Sequence, residues 1–274
     1  MTDRSTASDQ GQLPDIDTSV AHSARFWDYL LGGKDNYPID REAGDQILAI
    51  APGFRDAARA VRGFLVRSVR HLAGEVGIRQ FLDIGTGLPT ASNTHEVAQM
   101  TAPECRIVYV DNDPLIMAHA RALLTSTPAG VTDYVFADLR DPDTILRKAA
   151  RTLDFSQPVG LMLLGILNHI MDTDQAHAIV NRLLDALPSG SHLAISHPTT
   201  EVDAEVMGEV VRQWNEGGGT PPVVFRDRQE LTRFFDRLEL LDPGVVSCSL
   251  WRPGPTRLGA PTPVYEFGGV GRLP

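Results

Sequence analysis

The chain has 274 residues, of which 42% are hydrophobic, and it carries a formal net charge of −10 at pH 7. This length is compatible with one domain that buries a sizeable core. The acidic balance would repel a phosphate backbone unless basic residues gathered on one face, so we expect no nucleic-acid partner. No apolar run approaches the roughly 20 residues that span a bilayer, so we expect no membrane partner either.

The cysteines and the N-terminal segment indicate the compartment. Cys105 and Cys248 stand far apart and form no CxxC pair, which favours a reduced, cytoplasmic protein without a disulfide framework; we predict no metal site. Residues 1–14 are polar and lack the apolar core of a secretory signal, so we predict a disordered tail there. A single domain is then expected over residues 15–274.

Residues 15–78 are predicted to form a helical N-terminal region. Ser19 can cap a helix over residues 19–31, which Gly32 and Gly33 end. Apolar residues recur every three or four positions from 57 to 76 and predict a second helix. Some arginines lie off that apolar stripe, and they either form a solvated face or reach an acidic ligand group: Arg55, Arg59, Arg62 and Arg70.

Residues 79–274 are predicted to form a Rossmann-like core. The stretches that read as parallel strands are 79–84, 106–110, 131–136, 159–164 and 192–196. Helices are expected at 90–100, 114–124, 143–153, 173–187, 200–214 and 229–238, and late strands near 240–249 and 264–270. This alternation predicts an α/β, doubly wound sheet with helices on both faces.

The strongest signal for a ligand site is the stretch FLDIGTGLPT at residues 81–90. A strand runs into Gly85-Thr86-Gly87, where glycines let the backbone approach a ligand closely. A helix is expected to begin next, with Pro89 in its first turn and free N–H groups facing an anion. The carboxylate of Asp83 would repel a dinucleotide pyrophosphate, but it suits a ligand with an ammonium group and a sulfonium. S-adenosylmethionine (SAM) has both groups.

Two further acids end the next two strands of the predicted sheet. Asp111 can accept both ribose hydroxyls or can cap the following helix, a role for which Asp113 is better placed. Asp138 can accept from an adenine amino group, while the backbone N–H of Leu139 reaches a ring nitrogen. Because the carboxyl ends of adjacent parallel strands meet in one crevice, these acids and Asp83 are expected to converge.

The polar run FWDYLLGGKDNY at residues 26–37 is a further motif. Together with residues 80–90, 95–99, 109–114, 196–197, 243–253 and 268–272, it resembles class I, Rossmann-like SAM methyltransferases. More narrowly, it is similar to the S-adenosyl methyltransferase family formerly described as a domain of unknown function. The resemblance covers nearly the whole chain after residue 14, and it implies a seven-stranded sheet with an antiparallel last strand.

The same resemblance implies SAM as the cofactor, bound by Asp83, Gly85, Gly87, Asp111, Asp138 and Leu139. Thr86, Asn112 and Gly165 complete the predicted cofactor-binding set on the core. The chain departs from the family pattern at Asn168, which stands where a histidine is expected, with His169 next. The family's acceptors are largely unassigned, so the resemblance supplies no acceptor.

Methyl transfer is a displacement at an already activated sulfonium, so the protein supplies alignment and, where the acceptor loses a proton, a base. His169, after the fourth strand, and His197, after the fifth, are the candidate bases. Each has an alternative structural role: His169 as a satisfied polar residue at a helix start, and His197 as the residue that closes a turn before Pro198.

The polar loop at residues 34–38 is predicted to fold, with the first helix, over the cofactor as a lid. Lys34 could bind the SAM carboxylate or cap the preceding helix, Asn36 could contact the cofactor, and Tyr37 could act in catalysis. The alternative is a plain capped turn. Residues 197–227 are read as an insertion that shapes the acceptor pocket, with Trp214 in its wall or in the core; apolar walls would favour a small-molecule acceptor.

Three other functions compete with a SAM-dependent methyltransferase that acts on a small molecule. A non-catalytic SAM-binding sensor would keep the three acids but have a filled or sealed cavity beside the methyl group. A nicotinamide-dependent oxidoreductase is disfavoured by Thr90 in place of a third glycine and by the charge of Asp83. A protein–protein scaffold does not explain three converging acids. The acceptor, the acceptor atom and the oligomeric state stay open.

Overall fold

The computed structural model describes residues 16–123, 126–254 and 261–274, so the tail predicted at residues 1–14 lies outside the described residues. The α-helices in these ranges are α1 Ser23–Leu30, α2 Pro38–Ile50, α3 Phe54–His71, α4 Thr94–Thr101, α5 Pro114–Leu123, α6 Pro142–Ala149, α7 Thr173–Leu184, α8 Ala204–Glu216 and α9 Arg228–Arg233. The strands are β1 Gln80–Ile84, β2 Arg106–Asp111, β3 Val131–Phe136, β4 Gly160–Leu164, β5 His192–Pro198, β6 Glu239–Leu240, β7 Val246–Ser247 and β8 Glu266–Arg272.

The strands form one mixed sheet in the order β3-β2-β1-β4-β5-β8-β6, and β7 also pairs with β8. Strands β1 to β5 run parallel, whereas β8 runs antiparallel to β5. This confirms the predicted Rossmann-like α/β sheet with an antiparallel last strand. The described part of the chain holds eight strands rather than seven, because the stretch predicted as one strand near 240–249 is broken in two. Pro243 has no N–H to donate, and Gly244 adopts a left-handed conformation with φ +85°.

Two apolar cores cover the two faces of the sheet, because side chains of a strand alternate between faces. Leu161 and Leu163 of β4 pack on one face with residues of α6, α7 and α9. Met162, between them, packs on the other face against Phe64 and Leu65 of α3. Strand β4 is therefore buried on both sides, and helix α3 is fixed over the centre of the sheet, above the strands that carry the candidate site.

The helix after the glycine loop begins later than predicted. It starts at Thr94 rather than Thr90, with Asn93 as N-cap and Glu96 accepting from the backbone N–H of Asn93 at 2.7 Å. Residues 90–93 form a tight loop in which Asn93 both accepts from the N–H of Thr90 and donates to its carbonyl. The expected helix start with free N–H groups directly after Gly87 is therefore wrong.

Helix α2 was not predicted from the sequence. Pro38 occupies its first position, Tyr37 is the N-cap, and Asp40 accepts from the N–H of Tyr37 at 2.8 Å, which completes a capping box. The sequence does carry a signal for this helix start, a proline followed two residues later by an acid. The signal is weak because tyrosine is not a preferred N-cap.

A third apolar core joins the N-terminal helices to α8. Phe26, Ile47 and Phe54 contribute from the N-terminal side, and Met207 and Trp214 contribute from α8. Helix α8 begins at Ala204, four residues later than the predicted start at 200, with Asp203 as N-cap accepting from the N–H of Val206. Among the described residues, no helix is long and apolar enough to cross a membrane.

Candidate functional site

The tips of β1, β2 and β4 open into one cavity of about 140 Å³, which we call the main cavity. The strand tips contribute Gly85, Thr86, Gly87, Asp111, Asn112, Gly165 and Ile166 to its lining. The opposite wall comes from α1, which contributes Ser23, Trp27 and Asp28, and from α3, which contributes Val61 and Arg62. The first helix therefore covers the strand-tip site, at the place where a lid was predicted.

Three glycines leave room for a ligand at the floor of the main cavity. Gly85, Gly87 and Gly165 have φ values of +78°, +65° and +70°, in the left-handed region that favours glycine. A Cβ atom added to Gly85 would lie 2.5 Å from the side chain of Ile166, so no side chain fits there. Added Cβ atoms at Gly87 and Gly165 would meet no atom within 4 Å. These two bare backbones therefore face open space that a bound molecule can fill.

Asp111 binds the glycine loop to the tip of β2. One carboxylate oxygen accepts from the N–H of Gly87 at 3.1 Å, and the other accepts from the N–H of Asp113 at 3.0 Å. Asp113 caps α5 by accepting from the N–H of Leu115 at 2.8 Å. The helix cap is thus Asp113, and the carboxylate of Asp111 faces the cavity. Burial raises the pKa of Asp111 to about 6.

Asp138 and Leu139 lie in a smaller cavity of about 40 Å³ that adjoins the main cavity. The two cavities share Gly85, Asp111 and Asn112 in their walls. The side-chain amide of Asn112 donates to Asp138 at 3.0 Å, which holds the tips of β2 and β3 together. The structure therefore brings Asp111 and Asp138 to one crevice, as the strand order requires.

Asp83 lies behind the glycine loop, in a cavity of about 60 Å³ that adjoins the main cavity and shares Arg62, Gly85 and Thr86 with it. Its carboxylate accepts from the hydroxyl of Thr94 at 2.6 Å, which attaches the start of α4 to β1. Burial raises the pKa of Asp83 to about 6, an effect that the hydrogen bond from Thr94 and the nearby Arg62 guanidinium oppose. Asp83, like Asp138, thus lies beside the main cavity and not in its wall, and its contact with an ammonium group stays a prediction.

His169, in the 3₁₀ turn after β4, lines the main cavity, the cavity of Asp138 and a third cavity described below. Its Nδ1 lies 3.1 Å from the carbonyl oxygen of Pro222, which can only accept, so Nδ1 carries the hydrogen. Its Nε2, 3.0 Å from the hydroxyl of Ser23, is then the acceptor. Burial lowers the pKa of His169 to about 4, so the ring is neutral at pH 7.

His197 lies outside the cavities that the other site residues line. It is fully buried, with Nδ1 2.7 Å from the carbonyl oxygen of Pro198 and Nε2 3.0 Å from a nitrogen of Arg226. Burial lowers its pKa to about 3. Arg226 in turn donates to the carbonyl oxygens of Leu167 and Ile170, which flank His169. His197 therefore supports the turn that carries His169 and is not placed to act as a base.

The loop at residues 34–38 does not reach the cavities. Tyr37 caps α2, and the amide of Asn36 donates to Asp28 at 2.7 Å. Lys34 is exposed. The capped-turn alternative thus describes this loop, and neither Tyr37 nor Lys34 is brought to the site. The loop instead holds Asp28, a lining residue that the sequence reasoning missed although it lies in the FWDYLL motif.

Arg62 is the one member of the arginine set on α3 that lines the main cavity in the described part of the chain. It donates to the carbonyl oxygens of Ala91 at 3.0 Å and Ser92 at 2.8 Å, which braces the loop before α4. Its Nε is buried and has no hydrogen-bond partner among the described residues. An arginine with an unused buried donor is suited to a carboxylate. Across the described ranges, no three His, Cys, Asp or Glu side chains are grouped to hold a metal ion.

Comparisons with known proteins agree with this geometry. The model of the S-adenosyl methyltransferase family matches residues 9–274. A solved structure from Streptomyces avermitilis is of a protein whose family is named as a domain of unknown function. It is 45% identical to this chain, the match covers 95% of this chain and all of that protein, and the TM-score is 0.90. A candidate methyltransferase from Thermobifida fusca is 40% identical over 94% of this chain and 96% of its own, with a TM-score of 0.85. No curated protein matches the chain.

A SAM-dependent methyltransferase from Anabaena variabilis shares the fold at 13% identity, with a TM-score of 0.50 over 96% of this chain and 98% of its own. The bare backbone at Gly87 and Gly165 and the carboxylate of Asp111 at the neighbouring strand tip fit a nucleoside-bearing cofactor of this class. The cofactor that the family and these residues imply is SAM. The chain belongs to the S-adenosyl methyltransferase family.

Proposed function

We propose that this protein transfers the methyl group of SAM to a small-molecule acceptor with an apolar body. The observation that carries the proposal is a second cavity, of about 30 Å³, which shares Ser23, Trp27 and His169 with the main cavity. We call it the apolar cavity. Its remaining walls are largely aromatic and aliphatic: Phe26, Ile47, Phe54, Asn168, Pro198, Val210, Trp214, Val223 and Phe225. At this volume the cavity holds a small apolar group, and a lining of this composition suits part of an organic molecule better than a polar macromolecule.

The acids at the strand tips indicate how SAM would be oriented in the site. Asp111 accepts the ribose hydroxyls, and Asp138 with Leu139 meets the adenine in the adjoining cavity. The methionine portion then has the floor of Gly85, Gly87 and Gly165 beneath it. This arrangement leaves the apolar cavity on the side where the acceptor is needed. The α8 helix and the loop after it supply part of that wall, which agrees with the expected role of residues 197–227.

His169 is proposed to orient the acceptor. Its neutral Nε2 accepts from the hydroxyl of Ser23 at the boundary of the two cavities, and the oriented hydroxyl oxygen can accept a hydrogen bond from an incoming N–H or O–H group. A pKa near 4 makes it a weak base, so positioning rather than proton removal is the role we assign. The amide oxygen of Asn168 in the same wall has no hydrogen-bond partner among the described residues and offers a second acceptor.

A non-catalytic sensor would require a cavity that is closed or filled beside the methyl group. The main cavity instead adjoins the apolar cavity, with which it shares Ser23, Trp27 and His169. This neighbouring space favours transfer over sensing.

The proposal is tested with SAM that carries an isotopically labelled methyl group. Purified protein is incubated with labelled SAM and with separated small-molecule, protein and nucleic-acid fractions of a bacterial extract. We expect label in the small-molecule fraction and none with an Asp111→Ala variant. Label mainly in the protein or nucleic-acid fraction would refute a small-molecule acceptor. Tight SAM binding without transfer to any fraction would favour the sensor.

Arg62 is proposed to bind the carboxylate of the methionine portion, and this gives a separate prediction. We expect Arg62→Gln to weaken binding of S-adenosylhomocysteine about tenfold, because a hydrogen bond to a charged group contributes roughly 1.5 kcal/mol or more. Binding of methylthioadenosine, which lacks the carboxylate, should change less than about twofold. Titration calorimetry with both ligands measures the difference, and Arg59→Gln, an exposed arginine on the same helix, is the control. Equal weakening of both ligands would show that Arg62 acts only by bracing the loop.

A further inference from the structure

Glu266, the first residue of β8, is a buried acid without a partner. It is 0% exposed and lines the main cavity. Neither of its carboxyl oxygens has a hydrogen-bond partner among the described residues. Burial raises the pKa of this carboxyl well above its usual value. Leaving a buried polar group unpaired costs folding free energy, so such a group facing a cavity calls for a ligand that satisfies it.

The position of Glu266 separates it from the nucleoside end of the site. Strands β1, β4, β5 and β8 are successive neighbours, so β8 lies roughly 14 Å from the strand that carries the glycine loop. Helix α3 gives a second estimate of this distance. Gly53, just before α3, lies against the ring of Tyr265, the residue before Glu266, whereas Arg62 contacts Ala91 and Ser92, just after the glycine loop. Nine residues of helix span roughly 13 Å. Glu266 is therefore at the far end of the main cavity from Gly85-Thr86-Gly87.

Two neighbours of Glu266 connect it to the acceptor side. Pro198, which lies opposite Glu266 in the sheet, lines the apolar cavity. Ser196 lies opposite Gly268, two residues beyond Glu266, so its side chain shares the face of the sheet with Glu266. The hydroxyl of Ser196 is also buried and without a partner in the described structure. Two buried side chains with unused hydrogen-bonding groups thus lie on the same face of the sheet at the end of β5.

The chemistry of the carboxyl indicates what it binds. When the carboxyl is ionised, both of its oxygens are acceptors, and a protonated primary amine supplies three N–H donors and a positive charge, whereas an alcohol supplies one O–H group. Arg62, the one arginine that lines the main cavity among the described residues, lies at the other end of it from Glu266. We propose that Glu266 binds the amino group of a primary-amine acceptor whose apolar part extends towards the apolar cavity. This inference rests on the proposed transfer to a small molecule and names the class of that molecule.

The test uses the full-length protein saturated with S-adenosylhomocysteine and two small probes of the same shape, propylamine and propan-1-ol. Calorimetric titration of the wild type should give at least tenfold tighter binding of the amine. Glu266→Gln, which keeps the shape of the side chain, should reduce this preference to less than twofold. Glu266→Asp, which keeps the acid, should retain part of it, and Glu205→Gln, an exposed position on α8, should leave it unchanged.

Three results would overturn the inference. The first is equal binding of both probes by the wild type, and the second is an undiminished amine preference in Glu266→Gln. The third is a tenfold loss of S-adenosylhomocysteine affinity in Glu266→Gln, which would assign the carboxyl to the cofactor. Failure of the wild type to bind S-adenosylhomocysteine at all would instead contradict the proposed methyl transfer. Thermal melting checks folding, and we expect Glu266→Gln to melt close to the wild type because the amide keeps the shape of the side chain and is uncharged.

Discussion

Asp111→Ala is expected to raise the dissociation constant for SAM about 100-fold. The carboxylate lies at the tip of β2, accepts from the N–H groups of Gly87 and Asp113, and faces the main cavity. In the proposed complex it also accepts the two ribose hydroxyls. Hydrogen bonds to a charged group contribute roughly 1.5–3 kcal/mol each, so the loss of this acceptor removes a large share of the binding free energy. Titration calorimetry with S-adenosylhomocysteine measures the change.

The pKa of Asp111 predicts how the affinity for SAM depends on pH. Because the pKa is about 6 in the folded protein and the ionised form is the better acceptor, affinity should fall as the pH is lowered through 6 and level off above it. The variant should lack this part of the pH dependence. Asp174→Ala, an exposed acid in the first turn of α7, is the control for a lost negative charge. An affinity in Asp111→Ala within threefold of the wild type would remove Asp111 from the cofactor site.

Asp40→Ala is expected to lower the free energy of unfolding by about 3–5 kcal/mol, the usual effect of removing one partner of a buried ion pair. Asp40 is 0% exposed and Arg25 is 3% exposed, and they bond at 2.9 and 3.0 Å. Asp40 also accepts from the backbone N–H groups of His22 and Tyr37. Its removal leaves a buried guanidinium without its counter-charge at the junction of α1 and α2. Urea unfolding at constant pH measures the loss.

The same variant should also weaken SAM binding, because α1 carries Ser23, Trp27 and Asp28 into the wall of the main cavity. Glu42→Ala, an exposed acid on the same helix, is the matched control and should change stability by less than about 0.5 kcal/mol. A loss below 1 kcal/mol in Asp40→Ala would mean that the N-terminal helices are held by their apolar core alone.

The parallel sheet was predictable because its strands carry unmistakable apolar runs. The strand at 131–136 was predicted with the bounds that the structure has, and β2 differs by one residue. The acids at the strand tips followed from the rule for open sheets, and Asp111 and Asp138 do meet in one crevice. These parts of the site depend on local pattern and on strand order, which the sequence encodes directly.

Local competition between start signals explains the error after the glycine loop. Pro89 and Thr90 suggest a helix start, but Asn93 with Glu96 forms a reciprocal capping box three residues later. The capping box satisfies two backbone N–H groups, and this stabilises a helix start at Thr94 more than Pro89 stabilises an earlier one. The spacing N-x-x-E was present in the sequence and would have given the observed start at Thr94.

Other features depend on contacts between distant residues and have no local signal. His197 and Arg226 are 29 residues apart, and only the fold shows that their pairing excludes His197 from the site. Glu266 gives no motif, because its importance comes from burial without a partner. The role of Asn36 and Asp28 in ordering the N-terminal loop likewise follows from a hydrogen bond that spacing alone does not specify.

Ser23, Trp27 and His169 belong to both the main cavity and the apolar cavity. Two molecules bound on either side of these side chains would share one wall, so the rotamers that suit one ligand set the surface offered to the other. Such sharing makes the two binding equilibria interdependent. Thermodynamic reciprocity then requires that the factor by which SAM tightens acceptor binding equals the factor by which the acceptor tightens SAM binding.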